Sequence, residues 1–134
     1  MSEELAKVDN TVNSTIKPET AADAAKIANA MNASLSLADL GDNAEIEITD
    51  IIVMPGKRES RENPGTFLDC ENTYLITTDG TSYFSQSAGI ARSAKNLGYM
   101  MDVLKSDAGS FVVRVITQPT QKGNIKSLMV VKRS

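Results

Sequence analysis

The spacing of apolar residues divides the chain near residue 44. Before that point they recur at helical intervals: in "ETAADAAKIANAMN", which follows Pro18, the residues Ala24, Ile27, Ala28 and Met31 share one stripe. Proline suits a first helical turn and Glu19 complements the helix dipole, so the pattern predicts a helix with a thin, alanine-rich apolar face. "SLADLGDN" predicts one further helical turn, with Ser36 as cap and Gly41 as terminator. Residues 1–16 have few large apolar groups and no sustained period, and are expected to form a flexible acidic arm.

From Ala44 the period becomes two. "AEIEITDIIVMPG" places Ile46 and Ile48 on one face, then slips by one residue at Asp50 so that Ile51 and Val53 continue that face, as a β-bulge in a bent strand would do. "KRESRENPG" then reads as a polar hairpin loop, and a second strand covers roughly residues 66–78. Asp79-Gly80 signals a two-residue turn, which would set Thr78 opposite Thr81, Ile76 opposite Tyr83 and Leu75 opposite Phe84. On that register Leu68, Cys70, Tyr74, Ile76 and Tyr83 share the more uniformly apolar, interior side. Phe84 is left as an exposed platform; the alternative puts all three aromatics in the core.

Ser85 or Ser87 caps the next helix, in which Ile90, Ala94, Leu97, Met101 and Leu104 repeat at helical spacing while Arg92, Lys95 and Asn96 face elsewhere. Gly98 ends this helix early or splits it. "FVVRVITQPT" and "NIKSLMVVKR" are two more strands, separated by a loop holding Pro119, Lys122 and Gly123. Three strands, a helix and two strands, with a bent first strand, is the plan of the OB-fold, a five-stranded Greek-key barrel with a helix between strands 3 and 4. The expected organisation is an arm at 1–16, an N-terminal helical extension at 17–40 and an OB-fold domain at 41–134.

Composition narrows the chemistry. A chain of 134 residues supports one core. Neither a signal peptide nor a membrane span is expected, so the reading is a soluble intracellular protein. With one cysteine and no histidine, an internal disulfide and the usual zinc sites are excluded, and Cys70 is expected to fill the core. Asp69, Glu71 and Asp79 lie close in sequence but on solvent-facing positions, so no enzyme is expected. The net charge of −3 hides an asymmetry: residues 1–50 hold three basic and ten acidic side chains, residues 51–134 eleven and seven. A ligand meets local charge, and the second half is basic.

"ADLGDNAEIEITDIIV", "YLITTDGTSYFSQSAGIARSAKNL" and "RVITQPTQKGNIKSLMVVK" together resemble the phage single-stranded-DNA-binding proteins of the protein-primed replication type, which are OB-fold proteins. The resemblance covers about residues 37–133 and is strongest over the Asp-Gly hairpin and its helix. It implies non-catalytic coating of displaced DNA strands during viral genome replication, in the cytoplasm of the infected host cell.

The residues fit that chemistry. Sequence-independent strand binding needs a cationic groove for phosphates and flat side chains for bases. The OB-fold ligand face, across strands 2 and 3, is bordered by the loops 1–2 and 4–5. Here those loops carry Lys57, Arg58 and Arg61 on one side and Lys122 and Lys126 on the other, with Arg114 between. Phe84, Tyr74 and Tyr83 are the candidate stacking platforms. Aromatics make up only 4% of the chain, so association of the protein with itself along the strand is expected to compensate. The acidic arm is expected to shield the groove until DNA displaces it, to mediate contacts between protomers, or only to keep the protein in solution. No metal, cofactor, membrane or small-molecule substrate is expected. The alternative is a small OB-type module that binds another protein.

Overall fold

The structure is a computed structural model that describes residues 13–15, 19–106, 108–121 and 123–131. It is mainly β. In chain order come β1 (Asn13–Ser14), α1 (Ala21–Asn32), β2 (Leu35–Ser36), a 3-10 turn (Leu37–Leu40), β3 (Glu45–Glu59), β4 (Phe67–Thr77) and β5 (Ser82–Ser85). Then follow α2 (Ala88–Tyr99), α3 (Met101–Leu104), β6 (Phe111–Thr120) and β7 (Gly123–Val131).

The strands form one curled sheet in the order β2-β5-β4-β3-β6-β7, with β1 on β3. Among the described residues the expected five strands are seven, the extra two being the two-residue strands contributed by the N-terminal segment. Nor is the barrel closed by hydrogen bonding: among the described residues β5 and β7 do not pair, and the sheet is a half-barrel. The first turn of α2 fills the seam instead. A Cβ on Gly89 would overlap the carbonyl oxygen of Lys126 and lie 2.6 Å from Ile125 Cγ1, so only glycine lets the helix approach β7 this closely.

The bulge lies where the apolar phase slips: the β3–β4 register shifts between Ile48 and Asp50, and Ile46, Ile48, Ile51 and Val53 all enter one core. That core, inside the curl, also takes Leu75, Phe111, Val113, Val115 and the α2–α3 stripe Ile90, Ala94, Leu97, Met101 and Leu104. Helix α2 is capped by Ser87, whose hydroxyl accepts from Ile90 N at 3.3 Å, and it hands over to α3 at Met100, two residues past Gly98.

The Asp79-Gly80 hairpin is present, but its register differs by one residue from expectation. Ile76 faces Ser82, Leu75 faces Tyr83 and Tyr74 faces Phe84. The loop is three residues long: Gly80 N donates to Thr77 O at 3.1 Å, Thr77 N donates to Thr81 O at 2.8 Å, and Gly80 sits at φ +89°. A left-handed glycine after a tight turn adds a bulged residue, and one extra residue reverses the faces of β4 relative to those of β5. So Leu75 and Tyr83 point inward, whereas Tyr74, Ile76 and Phe84 point outward; this reverses the expected sides of Tyr74, Leu75 and Ile76 and keeps those of Tyr83 and Phe84.

That outward face is covered by α1. Thr20 caps the helix, accepting from Asp23 N at 3.1 Å; the expected first-turn Pro18 lies outside the described residues. Its packing stripe is Ile27, Ala30 and Met31, with Ala24 and Ala28 exposed, because the buried face is rotated from the expected stripe. Together with Ile52, Tyr74, Ile76, Met54 and Phe84 these residues form a second, smaller core.

Candidate nucleic-acid interface

The expected polar loop after Pro55-Gly56 is strand in its first three residues. Lys57 and Arg58 continue β3, opposite Asp69 and Leu68, and the loop begins only at Ser60. Proline is tolerated because, beyond Val53, β3 is paired on one side only, so no ladder partner needs the missing N–H. Residues 54–59 and 67–72 pair only with each other among the described residues, forming an arm about 20 Å long.

The root of the arm is tied by an amide cluster. Gln86 Nε2 donates to Asn72 Oδ1 at 3.0 Å and to the carbonyl of Lys57 at 3.1 Å. Gly56 makes room for it, since a Cβ there would lie 2.5 Å from the Asn72 side-chain carbon. Cys70, expected in the core, is half-buried on this arm and contacts Asn72 Oδ1 at 3.9 Å.

Of the cations singled out from sequence, Lys57, Arg58 and Arg61 line one open depression with Gln86 and Ser87. Ser87 also lines a neighbouring cleft of about 110 Å³ whose wall includes Lys126. The arm and β7 thus meet across the N-terminus of α2. Lys122 lies outside the described residues. Arg114 is not brought into this path: it stands on the β6–β3 ladder opposite Glu45, donating to its carboxylate from Nη2 at 2.5 Å and Nε at 3.1 Å.

Charge at the path is partly neutralised. Lys57 pairs with Asp69 at 2.5 Å and Lys126 with Asp42, whose carboxyl is held below its usual pKa by the hydrogen bonds from Lys126 and Thr117. Both pairs are exposed, and phosphates can exchange for their carboxylates at little cost. Arg58 and Arg61 form no ion pair among the described residues.

The aromatics fall into three settings. Tyr74, 8% exposed, lies under α1, and burial raises its phenol pKa against the opposing hydrogen bond to Asn72. Phe84 packs beside it and is half-buried; it is not the open platform expected. Tyr83 packs against the inner core and also borders a depression with Leu40, Thr78 and Asp79. Sequence reading missed Phe67, 61% exposed near the tip of the arm, next to Leu68, which is also exposed. The available signal was its place two residues after Gly65, close in sequence to Arg58 and Arg61.

Asp69, Glu71 and Asp79 do not converge. The first pairs with Lys57, the second with Lys95, and the third accepts from Thr77 Oγ1 at 2.5 Å and Thr81 N at 3.0 Å. Among the described residues no cluster of three or more His, Cys, Asp or Glu is gathered as a metal ion needs.

The chain is matched over residues 6–130 by the family model for Phage Single-stranded DNA-binding protein. The chain belongs to this family. The match includes the alanine-rich N-terminal segment that the sequence motifs left out, so α1 is within the family's own extent. No curated protein and no solved structure matches the chain. Among the described residues no helix is long and apolar enough to cross a membrane.

Proposed function

We propose that this protein binds and protects single-stranded DNA during phage DNA replication, without catalysis and largely without sequence preference, inside the infected host cell. The half-barrel acts as an OB-like platform. Membership of the phage family supports this reading, and the geometry that carries it is the run of Lys57, Arg58 and Arg61 on to Gln86, Ser87 and Lys126. Phosphates follow this run, with the N–H groups at the start of α2 supplying neutral donors. Phe67 offers a flat face to a base, and Arg58 and Arg61 lie ready for phosphate with no carboxylate to displace. Arg114 contributes background charge only.

Competition between an oligothymidylate and a duplex of equal length tests the reading. The single strand should win by a wide margin and pyrimidine composition should matter little. Equal binding of both, or capture of a protein partner with no DNA affinity, would replace this function with that of a protein-interaction module.

A further inference from the structure

The strand face that carries Tyr74 and Phe84 is the face an OB-like sheet uses for nucleic acid, and α1 lies on it. Resting on the function proposed above, we propose that α1 is a displaceable strap: it covers a second stacking site formed by Tyr74 and Phe84, and single-stranded DNA occupies that site after α1 lifts.

The strap is weakly held along its length and differently held at its ends. Of its twelve residues only Ala30 is buried, with Ile27 and Met31 partly so, while one hydrogen bond, from Ser82 Oγ to the Ala30 carbonyl, fastens its last turn. The C-terminal end is fixed by β2, which pairs with β5 through Leu35 and Ser36, and by Leu37, buried in the inner core. The N-terminal end is fixed by two-residue β1 and by Thr15, which donates to Asp50 Oδ1 at 3.0 Å and whose hydroxyl accepts from Ile51 N at 2.9 Å. A segment with few buried contacts opens before the core does, and here opening starts from β1 and pivots about Ala33 and Ser34.

What lies beneath is suited to bases. Tyr74 and Phe84 are in ring contact, and Asn72 and Gln86 continue the same face toward Arg58 and the loop containing Arg61. Within the strap Asp23 is balanced by Lys26, so what the closed form withholds from DNA is stacking surface, not charge. A binding-competent fraction of about one-tenth would weaken apparent affinity about tenfold, and loosening the strap would recover that factor.

Amide hydrogen exchange of the full chain, with and without saturating oligothymidylate, reads the strap directly. Exchange across residues 21–32 should accelerate on binding while β3 and β4 slow; unchanged or slowed exchange in 21–32 with DNA bound overturns the strap and leaves the DNA-binding reading intact. Absence of DNA binding sinks both. As a second arm, Ile27→Ser and Met31→Ser should tighten oligothymidylate binding up to about tenfold with the melting transition of the half-barrel kept. Unchanged or weaker binding by both folded variants contradicts the proposal.

Discussion

Tyr74 and Phe84 stand directly opposite each other on β4 and β5, ring centroids 5.2 Å apart and planes tilted by 43°. This pairing exists because the hairpin loop holds three residues and not two. It fixes which side chains the half-barrel swallows and which it turns toward α1.

The pair contributes to stability through the smaller core. Phe84→Ala removes half of the ring contact and hollows the smaller core, and should cost about 3 kcal/mol of unfolding free energy in urea. Phe84→Leu should cost under about 2 kcal/mol. A loss below 0.5 kcal/mol for the alanine variant, on the order of a surface change, would show that the ring is not packed there.

Arg58→Ala and Arg61→Ala break no ion pair, so each should leave stability within about 0.5 kcal/mol of the parent. Each should nevertheless lower the logarithmic salt slope of DNA binding by about 0.7, the contribution of one phosphate contact on a single strand. Arg114→Ala, at a residue held by Glu45 away from the path, should leave the slope unchanged. The comparison requires only titrations at several salt concentrations.

Phe67→Ala changes an exposed side chain and should unfold like the parent, yet weaken binding by about 1–3 kcal/mol if a base stacks on it. Unaltered affinity would remove Phe67 from the interface.

Asp79 supplies a pH signature. Hydrogen bonds from Thr77 and Thr81 lower its pKa to about 2 from the model-compound value of 3.8. A carboxylate with a depressed folded-state pKa stabilises the fold fully above its unfolded pKa and loses that contribution as pH falls through the folded value. Asp79→Ala should therefore be less stable than the parent at neutral pH, with the gap shrinking between about pH 4 and pH 2. A pH-independent gap in urea midpoints would contradict the assignment.

Much of this architecture was readable because particular residues left a local mark. The bulge before Asp50 showed as a slipped alternation, and the α2–α3 stripe from Ile90 to Leu104 as an unbroken helical period. Other features depend on relationships the local pattern does not encode. Asp79-Gly80 announces a turn, but whether Gly80 closes a two-residue loop or a bulged three-residue one decides whether Phe84 faces Leu75 or Tyr74. Pro55-Gly56 reads as a turn, yet an unpaired strand edge absorbs the proline and Asn72 fills the space over the glycine. The cover on Tyr74 follows from α1 crossing back over β4 and β5, a long-range contact to which Ile27 and Met31 give no directional clue. Of the cations, Lys57, Arg58 and Arg61 converge because the arm holds them near Ser87, whereas Arg114 is drawn off by Glu45, its neighbour only in the folded ladder.

The central claim is that an unpaired polynucleotide is gripped by the arm, the start of α2 and the β7 rim. Titration of a labelled oligothymidylate at low and moderate salt tests it most directly. The account predicts saturable binding whose affinity falls steeply as salt rises, with a logarithmic slope of about −0.7 per phosphate engaged. Binding that is indifferent to salt, or no binding at low salt by the folded protein, would contradict it.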